Sequence, residues 1–378
     1  MVSVAVIGCG IVGATIAYEL SRLPQFAVTV FDQQFPAQQA SGAALGVLMG
    51  AISGKTKGRA WEWRRTSLER YETLIPELEA ATGNPIPWNR EGILRLCFAG
   101  EDLSSWERLV EQRRSQGWPL EILSAAEVRS RYPYLSPQGI IAAIYSPRDR
   151  QVNPVALTQA LVAAAEKNGA QFHFNTPVQG FETCPAPTSL EDSIASKTQQ
   201  VEALQTAKGL LAVDWVAIAA GLGSTPLTAA LQQTVDIRPV LGQAMRLRLP
   251  APLAETLQPA ITGDDVYLVP LGGSDYWVGA TVEFPNRDAS KPIDPQADPQ
   301  RLTALHQRAI DYCPVLREAT ILEQWSGLRP RPEGRPAPIV EQLSQYTNVI
   351  LASGHYRNGV LLAPATARAV QALLPCKE

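Results

Sequence analysis

The sequence predicts an α/β plus α+β architecture: a discontinuous, doubly wound α/β domain carrying an inserted domain built on an antiparallel sheet. Three observations predict it. The chain opens with an apolar strand, a glycine-rich turn, a helix and a second strand. Residues 237 to 282 alternate apolar and polar with Gly and Pro punctuation, the pattern of an antiparallel sheet. Strand-then-helix order returns at the end, from Val349 to Leu374. With 378 residues the chain exceeds what one core usually serves, so two domains are expected.

Taken in order, Val2 to Ile7 reads as a buried strand, Ile11 to Arg22 as a helix and Ala27 to Phe31 as a second strand. Gly58 to Ala81 has the periodicity of a long amphipathic helix, with Gly83 as its stop. Pro154 to Asn168 is a helix ended by Gly169 and followed by the strand Gln171 to Phe174. Glu182 to Gln200 is polar, contains Pro185 and Pro187, and reads as a surface excursion between strands. Arg329 to Pro338 alternates Arg and Pro between apolar runs and reads as an ordered loop. The expected division is 1–87, 150–236 and 329–378 for the α/β domain, with 88–149 and 237–328 for the inserted one.

Composition narrows the function classes. Hydrophobic residues make up 46% and charged residues 18%, which excludes a disordered chain. A formal net charge of -3 offers no broad cationic face for a nucleic-acid backbone. The five cysteines, Cys9, Cys97, Cys184, Cys313 and Cys376, are scattered, which argues against a disulfide framework and a zinc site. His173, His306 and His355 show no ligand spacing, so no metal is expected. No apolar run reaches the roughly 18 residues of a transmembrane helix, and no leader precedes the first strand. A cytoplasmic protein is the expectation, and a homo-oligomer satisfies the sequence as well as a monomer.

The strongest local motif is Gly8-Cys9-Gly10-Ile11-Val12-Gly13, between the first strand and the first helix. Gly8 permits a tight turn, Gly10 lets the backbone approach a pyrophosphate, and Gly13 lets helix pack closely on strand. Phosphates would rest on the unpaired N–H groups at the helix N-terminus. Asp32 ends the second strand, where a carboxylate accepts ribose hydroxyls and repels a 2′-phosphate. The ligand is therefore FAD or NAD rather than NADP, and this Rossmann-like fingerprint serves both. Beyond it, the small-residue run Ala40 to Val47 is either a tight packing segment or backbone laid against a ligand. Pro364 in the C-terminal segment is tolerated only near a helix start, so a helix should begin between Gly359 and Pro364.

Gly354-His355-Tyr356-Arg357-Asn358-Gly359-Val360-Leu361-Leu362-Ala363-Pro364-Ala365-Thr366, Trp325-Ser326-Gly327-Leu328-Arg329-Pro330, Tyr267-Leu268-Val269-Pro270 and Val278-Gly279-Ala280-Thr281 occur in the same order as in glycine oxidases. Over essentially its whole length the chain resembles those enzymes, members of the D-amino-acid oxidase family with the sarcosine oxidases and D-amino-acid dehydrogenases. The resemblance implies FAD in the α/β domain, an antiparallel sheet over the flavin, and oxidation of a CH–NH or CH–NH2 donor by hydride transfer to flavin N5. It places Arg329 on the substrate carboxylate, Tyr267 on the same carboxylate, and Arg357 beside substrate or flavin. The implied FAD contacts are Gly8, Gly10, Ile11, Val12, Gly13, Asp32, Ser41, Ala44, Gly46, Val178, Gly221, Gly354, Arg357, Asn358, Gly359 and Val360.

The sequence departs from glycine oxidases at the implied substrate pocket. Val47 and Val282 stand where those enzymes carry methionine, and Asp265 stands near a histidine position, so a preference for glycine does not carry over. Sarcosine oxidases tether flavin through a cysteine near the position of Gly327; the nearest cysteine here is Cys313, and noncovalent FAD is expected. Glycine, sarcosine or a D-amino acid fits the class. O2 as acceptor with H2O2 as product is the leading expectation, followed by a quinone-linked dehydrogenase and, distantly, a non-catalytic flavin- or NAD-binding module.

Overall fold

The computed structural model describes residues 1–186, 198–284 and 296–375. A six-stranded sheet holds, in spatial order, Ile339–Gln342, Val349–Ser353, Trp215–Ile218, Val2–Ile7, Phe26–Phe31 and Gln171–His173. Its neighbours run parallel except at the Ile339–Gln342 edge. The first strand shows why a continuous apolar run is needed. Side chains alternate across a sheet, and Val2, Val4 and Val6 join a core under the helices, whereas Ala5 and Ile7 join a separate core on the opposite face. Ile11–Ser21, Gly58–Thr82, Pro154–Lys167 and Gly359–Leu373 pack together as the helical layer. The opposite face is covered by the antiparallel meander Val178–Pro185, Gln199–Thr206 and Gly209–Ala212.

Local chemistry sets the helix ends. Asn153 accepts the N–H groups of Val155 and Ala156 ahead of Pro154, and Gly83 closes the long helix in a left-handed conformation. The first helix stops at Ser21, with Arg22 as its C-cap.

The second sheet has eight strands: Thr320–Pro332, Ile237–Arg248, Asp275–Gly279, Val266–Pro270, Ala260–Gly263, Ile93–Phe98, Ile140–Ser146 and Glu121–Ser124. Pairing is antiparallel except between Ala260–Gly263 and Ile93–Phe98. Helix Pro299–Tyr312 packs on it over a core containing Leu302, Leu305 and Met245.

Two local readings change. The Arg-Pro stretch is not wholly a loop: Arg329–Pro332 completes a 13-residue strand, with Pro330 opposite Pro239. Thr320–Pro332 is the edge strand of its sheet, where a residue without an N–H is tolerated. The expected excursion at 182–200 begins and ends inside the meander, and residues 187–197, including Pro187, lie outside the described residues, as does Cys376. Among the described residues no helix is long and apolar enough to cross a membrane, and no cluster of His, Cys, Asp and Glu could hold a metal ion.

Candidate functional site

A cavity of about 500 Å³ runs from the glycine loop to the inner face of the eight-stranded sheet, within the size range of small-molecule sites. Its nucleotide end is made chiefly of backbone. Gly8 has φ +104°, open to glycine but strained for other residues, and a Cβ there would sit 2.6 Å from the Ala219 carbonyl oxygen. Gly8, Gly10, Ile11 and Val12 line the cavity. Gly13 stands behind them: its Cβ position is 1.9 Å from the Gly8 carbonyl oxygen, so the missing side chain is what lets the helix sit on the loop. Asp32 also lines the cavity, and its carboxylate accepts the N–H of Cys9 at 2.6 Å and of Gln34 at 2.8 Å. It therefore holds the glycine loop in shape while facing the ligand space.

Ser41 reaches back to the first helix, its Oγ accepting the Ile11 N–H at 2.9 Å. Ser41, Ala44, Gly46 and Val47 line the wall, so the small-residue run lies along the cavity. Trp325 Nε1 donates to the Ala43 carbonyl at 3.1 Å, tying this run to the strand that carries Arg329. Val178, Gly221, Gly354, Arg357, Gly359 and Val360 complete the expected lining. Asn358 is not part of it and sits at the N-cap of the last helix without a side-chain capping bond.

At the other end Arg329 and Tyr267 face the cavity. The Arg329 guanidinium lies over Gly242 on the neighbouring strand, where a Cβ would come within 2.2 Å of both Nη atoms. Nη1 donates to the Leu241 carbonyl at 3.1 Å, and among the described residues no carboxylate forms an ion pair with Arg329. Burial lowers its pKa, and the nearby Arg357 guanidinium lowers it further. The Tyr267 hydroxyl donates to Met49 Sδ at 3.4 Å. Arg357 is exposed, in the short turn Tyr356–Asn358 ahead of the last helix.

Asp265 and Val282 do not line the cavity. Asp265 is exposed in the tight turn joining Ala260–Gly263 to Val266–Pro270, with φ +58°, and Val282 is half-buried beyond Asp275–Gly279.

The sequence reading overlooked several contributors. Gly242 carried a usable signal, since an isolated glycine within a strand pattern marks a close approach. Met49 carried none. His355 is buried against Thr366, with Nε2 2.8 Å from Oγ1, and burial pushes its pKa down to about 3, so it is neutral. The segment after Met49 is clamped from two sides. Asp149, fully buried, accepts the N–H groups of Gly50, Ala51 and Ile52 at 2.7 to 2.9 Å. Arg113, also buried, donates to the carbonyls of Ala51, Ser53 and Lys55 and lies 3.5 Å from the Trp61 ring centroid. None of the described cysteines lines the cavity, and Cys313 is buried in the core beneath the eight-stranded sheet.

A glycine loop at a helix N-terminus, an acidic strand end and backbone walls with no room for a Cβ fit a dinucleotide, and the far end offers an unpaired guanidinium. Comparison with known proteins agrees. A family model described as DAO, FAD dependent oxidoreductase, matches residues 3–373. Glycine oxidase of Geobacillus kaustophilus (strain HTA426) is 29% identical over 375 residues, covering 99% of this chain and 93% of that protein. The bifunctional protein ThiO/ThiG of Synechocystis sp. is 32% identical over 377 residues, covering 98% of this chain; the match spans 51% of that longer protein. A crystal structure of glycine oxidase from Geobacillus kaustophilus superposes with a TM-score of 0.85 at 28% identity, covering 99% of this chain and 95% of that one.

Proposed function

Because this chain belongs to the DAO family of FAD-dependent oxidoreductases, and so is an enzyme with FAD as its cofactor, we propose that it oxidises the carbon–nitrogen bond of a small amino acid or N-methyl amino acid. The observation that carries this reading is the Arg329 guanidinium, half-buried without a carboxylate partner among the described residues and facing the cavity end opposite the nucleotide loop. A buried cation without an anion is costly, and a planar fork of donors matches a carboxylate's two oxygens.

In this reading Arg329 holds the substrate carboxylate, Tyr267 donates to it from three strands across the same sheet, and the small side chains of Ala244 and Ala280 leave room for a short substrate. Asp32 lies at the nucleotide end, and His355 is neutral and hydrogen-bonded to Thr366. Among the described residues the lining thus offers no carboxylate base near Arg329, which suits an amine that enters unprotonated. FAD, when bound, would supply the two-electron acceptor for a hydride leaving the α-carbon. Loss of that hydride and of an N–H proton leaves an imine, which water hydrolyses to the oxo acid and ammonia or methylamine. O2 is the proposed final acceptor, reduced by two electrons and two protons to H2O2. The six-stranded sheet with residues 1–87, 150–236 and 329–378 would hold FAD, except that Arg329–Pro332 belong to the eight-stranded sheet, which with 88–149 and 237–328 would roof the substrate. Noncovalent attachment is supported by the absence of a described cysteine from the cavity lining.

The test is anaerobic reduction. Purified holoenzyme is mixed with glycine, sarcosine and a panel of D-amino acids, bleaching of the flavin band is followed, and air or a soluble quinone is then admitted. Bleaching by at least one of them, reversed by air with H2O2 formed, is expected. Reoxidation by quinone alone would make the enzyme a dehydrogenase, and no bleaching by any of them would overturn the reading. Acid precipitation should release the flavin into the supernatant.

A further inference from the structure

The last helix, Gly359–Leu373, contains Pro364 in its second turn. Proline has no N–H, so the Val360 carbonyl four residues earlier loses its helical partner. Val360 is buried and an orphaned buried carbonyl is costly. The missing donor comes from another helix: the Tyr71 hydroxyl donates to the Val360 carbonyl at 2.5 Å. One turn earlier on the same long helix, Ser67 Oγ accepts the Ala365 N–H at 3.2 Å. Tyr71 and Ser67 are both fully buried, and burial raises the Tyr71 pKa, keeping its hydroxyl protonated. Gly359 and Val360 line the cavity, so the bond is made at the turn that faces the cofactor space.

We propose that Tyr71 is a positioning residue for the cofactor: by donating to the carbonyl that Pro364 leaves unpaired, it holds the first turn of the last helix with its N–H groups toward bound FAD. This rests on the placement of FAD in the cavity and not on the identity of the amino-acid substrate. Charge is the lever. Helix N–H groups favour negative charge at an N-terminus, and the flavin gains negative charge on reduction. A bare Val360 carbonyl in the same turn opposes that charge, and the Tyr71 hydroxyl cancels it.

The test compares Tyr71→Phe, Pro364→Ala and the double variant as FAD-loaded proteins, reading the flavin midpoint potential and the affinity for sulfite, which adds to flavins most readily where reduction is favoured. Tyr71→Phe should shift the potential negative and weaken sulfite binding by about fivefold to tenfold, the net effect of one buried hydrogen bond. Pro364→Ala restores an N–H to the Val360 carbonyl, so adding it should return both values to within about twofold of the parent. Unchanged potential and sulfite affinity in Tyr71→Phe would overturn the proposal, as would a shift that Pro364→Ala leaves in place. If Tyr71→Phe alone yields no folded protein, adding Pro364→Ala must restore folding and parent-like values of both, and a double variant that also fails to fold or to load FAD would overturn the proposal. Sulfite and potential need no amino acid, so a failed substrate panel leaves this test intact.

Discussion

Around Gly8, Gly13 and Gly46 the cavity wall is main chain, and a single added Cβ would meet a carbonyl oxygen at 1.7 to 2.6 Å. Around Arg329 and Tyr267 the wall is side chain, reaching in from Thr320–Pro332 and Val266–Pro270, which are separated in the eight-stranded sheet by Ile237–Arg248 and Asp275–Gly279. A backbone wall recognises what every dinucleotide shares, phosphates and ribose, and tolerates little change. A side-chain wall can be rebuilt residue by residue without disturbing its sheet. On the proposed function, binding of cofactor and choice of substrate fall on separate material, and mutations should separate them.

The largest expected separation is at Arg329. Arg329→Ala should retain FAD yet lose two to four decades in the rate constant for anaerobic flavin reduction per mole of amino acid, from about 3 to 5 kcal/mol of unpaired substrate charge. Arg329→Lys should recover only part of this, since it keeps the charge and loses the fork. Gly242→Ala should reproduce the defect from the neighbouring strand, because its Cβ would occupy the place of the guanidinium. Near-normal reduction by amino acids in Arg329→Ala would move the carboxylate to Arg357.

At the opposite end Asp32→Ala should weaken FAD affinity by about 1.5 to 3 kcal/mol while leaving the ranking of substrates unchanged. Equilibrium dialysis of the flavin measures the first, and the amino-acid panel the second. Gly13→Ala should cost about 1 to 3 kcal/mol of stability through overpacking against the Gly8 carbonyl, read as a lower unfolding midpoint and reduced flavin content. A reordered substrate ranking in either variant would break the division between the two ends.

The most gradual effect is in pH. His355 titrates at about 3 when folded, against an ordinary value of 6.5. Between those values the unfolded chain binds a proton that the folded chain does not, so this contribution to stability is full above 6.5 and is lost as pH falls toward 3. The slope approaches about 1.4 kcal/mol per pH unit for one proton. Chemical denaturation across that window should show it, and His355→Gln should flatten it.

The backbone end was the more legible in sequence for a physical reason. A tight turn, a phosphate approach and a helix packed on a strand each demand glycine at a fixed spacing, so Gly8, Gly10 and Gly13 announce themselves locally. Helix ends were legible for the same reason, through Pro154 and Gly83. Arg329 and Tyr267 came from resemblance, since neither residue's neighbours dictate its direction. Met49 touches Tyr267 and Gly242 makes room for Arg329 only because of folding between distant segments. Asp265 shows the converse: next but one to Tyr267 in sequence, it occupies an exposed turn, because a turn residue does not follow the strand's alternation.

The strand order of the six-stranded sheet has a consequence for how the chain is made. Trp215–Ile218 separates Val2–Ile7 from Val349–Ser353, so Val2–Ile7 gains that neighbour only after a long stretch of later sequence has been made. That neighbour in turn waits for Val349–Ser353. Until then a valine-rich strand edge stands open, the feature that templates aggregation. Translation speed and chaperone supply should therefore govern soluble yield more than the stability of the finished fold. A chain released just short of Val349 should be recovered in the insoluble fraction even though its nucleotide loop is intact.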